Sequence, residues 1–183
     1  WSSDVCSSDL IEADPKEASI LGSYAVFLAD VRKDADDAEA YFKRAIEADP
    51  KRASILGSYA VFFKNVRKDA DAAEAYFKRA IEADPKEASI LGSYAVFLAD
   101  VRKDADDAEA YFKRAIEADP KEANNLGNFA QLLFSLGRTQ EGLDYLDLAY
   151  EEQKSDALAR SEEHTSELQS HHDLVCRLLL EKK

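Results

Sequence analysis

IEADPKEASILGSYAVFLADVRKDADDAEAYFKRA, residues 11–45, recurs at 46–80 and again at 81–115. The first and third copies are identical, the second differs at Arg52, Phe63, Lys64, Asn65 and Ala72, and a diverged fourth begins at Ile116. Self-similarity at a fixed period of this size marks a chain built from one supersecondary unit, stacked on itself because a single unit cannot enclose a core.

Each copy carries two amphipathic patterns of helical period. With successive residues about 100° apart, Ile20, Leu21, Tyr24, Ala25, Phe27, Leu28 and Val31 fall within an arc of roughly 160°, which is the expected buried face of a first helix. Asp14 as N-cap, Pro15 at the first helical position and Glu17 in capping-box spacing predict its start. In the second copy Arg52 replaces that glutamate, so its helix is expected to lose part of its cap. The second pattern follows a turn at residues 31–34. Asp34 or Asp36 is the expected cap, Asp37 and Glu39 complement the helix dipole, Ala38, Tyr41, Phe42 and Ala45 form the buried stripe, and Glu39 with Lys43 forms an i,i+4 pair on the solvent side. Eight antiparallel helices are predicted near 16–30, 34–48, 51–65, 69–83, 86–100, 104–118, 121–135 and 138–153. The fold class is all-α, an α-solenoid of stacked helix pairs.

The small residue Ala25 among Leu21, Tyr24 and Leu28, followed by Ala38, Phe42, Ala45 and Pro50, resembles the tetratricopeptide repeat. That family has a 34-residue period. The extra residue here is expected in the inter-helix turn VRKDAD. The fourth copy lacks it, has Gly137 at its turn, and carries Gly142, Leu146 and Ala149 at the later positions. The resemblance covers residues 11–159 and implies a right-handed superhelix. Residues Ile11 to Asp14 are read as the end of a preceding second helix. A rival, the half-TPR repeat of RNA-processing assemblies, expects a Trp near Leu21 and an acidic residue near Leu28, and neither is present.

The two ends read differently. Residues 1–10, WSSDVCSSDL, and the tail from Arg160, RSEEHTSELQS onward, back-translate in frame into the two strands of a short-read sequencing adapter, so 1–10 and 160–183 are expected to be non-native translation and excluded from fold reasoning. These ends hold Trp1, both cysteines (Cys6 and Cys176) and all three histidines (His164, His171 and His172). A metal cluster at His171, His172 and Cys176 is therefore set aside. The chain has no Met and is expected to be a fragment.

Over its 183 residues the chain has 24 Lys+Arg against 37 Asp+Glu, a net charge of −13. That balance opposes binding to polyphosphate, so no nucleic-acid partner is expected. No apolar run approaches a membrane span and the start lacks the pattern of a secretory signal, so no membrane partner is expected and the cytoplasm is the expected compartment.

In tetratricopeptide arrays the first helices line a groove for partner peptides. The residues opposite the buried arc give the candidate groove: Ser19, Ser23, Val26 and Asp30; Ser54, Ser58, Val61, Lys64 and Asn65; Ser89, Ser93, Val96 and Asp100; then Asn124, Asn128, Gln131 and Ser135. It is small-sided and lightly acidic at one edge, although close helix packing alone would also select small residues. Lys64 has no basic neighbour on that stripe, which opposes the family's carboxylate clamp. The Arg-Lys pairs at 32 and 33, 67 and 68, and 102 and 103 are expected to be solvated and balanced by Asp30, Asp34, Asp36, Asp37 and their repeats. That acidic cluster lacks the alternating ligands and central Gly of a calcium loop. No residue set suggests catalysis, a cofactor or a metal. The implied function is a non-catalytic scaffold binding a protein or peptide ligand in the groove. The alternative is the repeat region of a larger enzyme or signalling protein.

Overall fold

The computed structural model describes residues 17–155. Asp14, Pro15 and the ends read as adapter lie outside the described residues, as does the preceding helix expected at Ile11 to Asp14. The chain divides into two compact units, one up to Pro120 and one from Lys121. The described residues of both units are helical, with no strand among them.

The first unit is three helix pairs: α1 (Ala18–Phe27) with α2 (Ala35–Ala48), α3 (Ala53–Phe62) with α4 (Ala70–Ala83), and α5 (Ala88–Phe97) with α6 (Ala105–Ala118). Each pair packs along its length. The first helices α1, α3 and α5 also lie side by side, and α2 and α4 each pack against the first helix of the next pair. Covered on several sides, α1, α3 and α5 share the almost wholly apolar sequence ASILGSYAVF. The second helices have one dry stripe. Ala38, Phe42 and Ala45 are buried, and so are Ala73, Phe77, Ala80, Ala108, Phe112 and Ala115. Tyr41, expected in that stripe, is half-buried and meets Tyr24 edge-on at 4.8 Å.

Aromatic rings tie the pairs together. Tyr59 contacts Phe42 of the preceding pair at 5.0 Å and Tyr76 of its own at 4.5 Å, and Tyr94 repeats this with Phe77 at 5.5 Å and Tyr111 at 4.7 Å. Such pairs contribute about 0.5–1.5 kcal/mol beyond their area burial. The approach of neighbouring first helices depends on glycine. A Cβ at Gly22 would lie 3.1 Å from Ile55 Cγ1, and one at Gly57 would lie 3.2 Å from Ile90 Cγ1.

The helix boundaries correct the sequence reading in two places. The Asp-Pro step ends one helix rather than starting the next. Asp49 caps the C-terminus of α2, and its carbonyl accepts the Arg52 N–H in a turn that holds Pro50 at its second position, the arrangement Asp and Pro favour. Asp49 Oδ1 also accepts the Lys51 N–H at 3.3 Å, and Asp84 Oδ1 accepts that of Lys86 at 3.1 Å. Glu17, Arg52 and Glu87 are themselves the N-cap residues, and none of their side chains caps the helix. Arg52 therefore loses no cap. It donates instead to Asp49 Oδ2 at 3.0 Å and to the Ser19 hydroxyl of the preceding copy.

The second correction concerns the extra residue of the 35-residue period. It is absorbed inside the helix, where Leu28–Arg32, Phe63–Arg67 and Leu98–Arg102 form five-residue π segments. The Asp34 N–H donates to the Leu28 carbonyl, six residues back, at 3.0 Å. In the fourth copy, which lacks the insertion, the equivalent bond runs five residues back, from the Arg138 N–H to the Leu133 carbonyl at 2.9 Å. A π turn carries more residues than an α turn, so the 100° projection fails beyond Leu28. Val31, expected in the buried face, is 65% exposed.

The second unit's described residues form α7 (Ala123–Ser135) and a helix at residues 139–155, α8. Phe129 meets Tyr145 edge-on at 4.7 Å. Gly142 makes room for Phe134, because a Cβ there would lie 2.5 Å from that ring. Leu146, at the position of Phe42, is 44% exposed, whereas Ala149 is buried as expected.

Candidate functional site

The first helices of the first unit create a groove of about 350 Å³. Ser54, Ser58, Val61 and Asn65 of the middle copy line it, with Val26 and Asp30 on one side and Ser89 and Ser93 on the other. These come together because each lies on the side of its first helix turned from its second helix. The floor is apolar, with Val61, Phe62 and Ile90, and Ile90 fills the space left by Gly57. Glu87 adds a second carboxylate to Asp30, so acid stands on both sides of the groove. Phe42 and Phe77 lie beneath that floor and are fully buried, core residues as expected.

Ser19, Ser23, Val96, Asp100 and Lys64 do not line this groove. Ser19 is engaged by Arg52. Lys64 lines a separate pocket of about 280 Å³ with Asn65, Lys68, Ala70, Phe97 and Val101. Off that stripe, in the turn that follows, Lys68 is close enough to act on the charge of Lys64. Asn124, Asn128, Gln131 and Ser135 belong to α7 of the second unit, with Asn124 and Gln131 exposed and Asn128 half-buried.

The Arg-Lys pairs have distinct jobs. Arg67 reaches back to the preceding second helix, placing Nη2 2.7 Å from Asp36 Oδ1 and 2.6 Å from Glu39 Oε2. Arg102 does the same with Asp71 and Glu74. Asp36 was an expected counter-charge, but the cross-copy geometry and the part of Glu39 were not foreseen. Lys33, Lys68 and Lys103 take the left-handed conformation that ends each π segment, with φ between 57° and 59°. The capping and pairing expected of the second helices are present. Asp34 accepts the Asp37 N–H at 3.1 Å, and Lys43 pairs with Glu39 at 2.7 Å. The Lys43 hydrogen bond, with Arg67 second among the cations, holds the Glu39 carboxyl below its usual value. Burial pushes the Tyr94 hydroxyl up to about 12, and burial pushes Tyr59 higher still. Among the described residues no group of His, Cys, Asp and Glu is arranged to hold a metal, and no helix is long and apolar enough to cross a membrane.

Repeated helix pairs, first helices lining a groove and cross-copy packing define a helical repeat module. A tetratricopeptide repeat model matches residues 8–53 and 67–123, and a second one matches residues 102–161. The chain belongs to the tetratricopeptide repeat family, whose members typically mediate protein–protein interactions and are generally non-catalytic. Its fold is similar to that of MamA, with a TM-score of 0.65 and 18% identity over 82% of this chain and 86% of that one. It is also similar to PilF of Pseudomonas aeruginosa, with a TM-score of 0.70 and 18% identity over 81% of this chain and 67% of that one. PilW, a widely conserved type IV pilus biogenesis factor, gives a TM-score of 0.68 and 24% identity over 74% of this chain and 62% of its own. No curated protein matches the sequence.

Proposed function

We propose that the chain is a non-catalytic scaffold that holds a segment of another protein in the groove between α1, α3 and α5. The observation that carries this reading is the groove's composition: an apolar floor of Val61, Phe62 and Ile90 beneath a rim of Ser54, Ser58, Asn65, Ser89 and Ser93. A ligand segment would bury alternate apolar side chains on that floor, while the rim hydroxyls and amides meet its backbone. The net charge of −13 supports a protein ligand over a nucleic acid. Residues 1–10 and 160–183 we propose to be adapter translation with no part in that function.

The test is selection of random dodecapeptides on the whole chain, followed by affinity measurement on Val61→Asp and Ser58→Arg variants that keep their helical circular dichroism. A carboxylate or guanidinium placed over the floor should weaken selected peptides by about tenfold or more. Undiminished binding to both variants, or no peptide retained, would overturn the groove as the site.

A further inference from the structure

The second copy departs from its two neighbours at five positions, and three of these are consecutive: Phe63, Lys64 and Asn65 stand where the first and third copies have Leu-Ala-Asp. The change removes a carboxylate and adds an ammonium at one point of an otherwise repeated surface. Lys64 and Asn65 line a pocket of about 280 Å³ together with Lys68 and Ala70, and Phe97 and Val101 supply its apolar wall. Asn65 also lines the peptide groove, so the two spaces adjoin. Lys64 is half-buried, and among the described residues no hydrogen bond or ion pair anchors its ammonium. Desolvation lowers its pKa first, Asp100 opposes that, and Lys68 adds to it.

We propose that Lys64, flanked by Asn65 and Lys68, forms a carboxylate-binding subsite that selects peptide ligands carrying an Asp or Glu side chain beside the apolar residues seated in the groove. A carboxylate reaching past Asn65 would meet two ammonium groups and an amide donor against an apolar wall, where charge-assisted hydrogen bonds are stronger than in open water. Asp100 acts on the same ammonium, so an incoming carboxylate competes with it for Lys64. The group selected is a side-chain carboxylate, which distinguishes the subsite from the clamp on a terminal carboxylate. The first and third copies, with Ala29 and Asp30 or Ala99 and Asp100 at the matching positions, lack it. The ligand register is thereby fixed to the middle copy. The inference rests on the groove reading above.

The probe is an array of synthetic dodecapeptides with Leu at alternate positions and Glu, Gln or Lys at one position varied along the peptide, presented to the whole chain and to Lys64→Ala and Val61→Asp. The expected result is a preference for Glu over Gln of about three- to tenfold at one register. Lys64→Ala, which restores the residue of the other copies, should abolish the preference and leave the Gln peptides bound as before. A Glu preference that survives Lys64→Ala overturns the subsite and leaves the groove standing. If no peptide is retained, the groove reading fails, and the subsite is decided by titrating N-acetyl-glutamate amide while following the Lys64 side-chain carbons by NMR. A saturable shift absent from a N-acetyl-glutamine amide control supports it. No shift means that Lys64 serves only Asp100, and the proposal falls.

Discussion

Arg67 Nε donates to Glu39 Oε2 at 2.8 Å across 28 residues of sequence, and Arg102 Nε repeats the contact on Glu74 at 2.7 Å. Each guanidinium also lies over a ring of its own helix, Arg67 over Phe62 at 5.7 Å and Arg102 over Phe97 at 5.6 Å. The arginine at the end of one copy's π segment is thus a staple to the copy before it, and the same residue pair recurs because the sequence does.

Glu39 and Glu74 are held below the usual carboxylate value, by Lys43 and Lys78 first and by the arginines after them. A carboxylate whose folded pKa is depressed stabilises the fold at pH above its unfolded value, and that contribution is lost as pH falls through the folded one. Chemical denaturation of the chain should therefore show a midpoint that falls as pH drops below the ordinary carboxylate value of 4.5. An Arg67→Ala, Arg102→Ala double variant should start lower at pH 7 and fall less over that window. Raised salt should narrow the difference between the two proteins, because the pairs are partly exposed. Coincident curves for both would mean that the staples contribute nothing.

Lys33, Lys68 and Lys103 hold a left-handed conformation that costs a residue with a Cβ, while the fourth copy uses Gly137 at φ 75° for the same job. Lys68→Gly should stabilise the chain by roughly 0.5–1 kcal/mol, the strain relieved exceeding the added unfolded-state freedom. Urea denaturation would show it as a higher midpoint at unchanged slope. A loss of stability would mean that the Lys68 side chain makes a compensating contact.

What the sequence made legible follows from what repeats with an α-helical period. Ala38, Phe42 and Ala45 are buried, and Asp34 is a cap, because an undistorted second helix keeps the 100° projection true along its length. Val31 escaped because it lies inside a π segment that changes the angular step, and one sequence does not say whether an inserted residue widens a helix or lengthens a loop. The Asp-Pro signal was misplaced by two to three residues because Asp and Pro favour a turn as much as a helix start. The groove-lining serines could be read from their side of the helix. Ser19 could not, because its partner Arg52 is set by packing between copies.

Ala60 is fully buried in α3. Ala60→Leu would force three extra carbons into the core and should cost roughly 1–3 kcal/mol. The loss should appear in the denaturant midpoint and spread to adjoining copies, since a repeat array shares its stability through interfaces. A variant as stable as the parent would show that the stacking register is wrong.

Residues 160–183, proposed as adapter translation, have had no selection for fit to the repeats. Their deletion should leave the thermal midpoint within about 2 °C of the parent. A drop of many degrees in differential scanning calorimetry would overturn the proposal and make the tail part of the folded protein.

Tyr59 and Tyr94 lie between a second helix and the next first helix, 1% and 3% exposed, where burial raises the hydroxyl pKa of Tyr94 to about 12 and that of Tyr59 beyond it. Glu74 beside Tyr94 and Glu39 beside Tyr59 add to the rise, since a tyrosinate would face a carboxylate. A group whose folded pKa is raised keeps its full contribution below the unfolded value of 10.0 and loses it as pH climbs toward the folded one. The repeats should therefore come apart in alkali between about pH 10 and pH 12, as the unfolded chain gains tyrosinates that the folded one refuses. A Tyr59→Phe, Tyr94→Phe variant keeps the ring contacts with Phe42 and Phe77 and removes both titrations. Its far-ultraviolet circular dichroism should hold to higher pH than the parent's, with the two proteins alike at pH 7. If the variant and the parent lost helix at the same pH, the alkaline transition would belong to other groups, and burial of these hydroxyls would not be its cause.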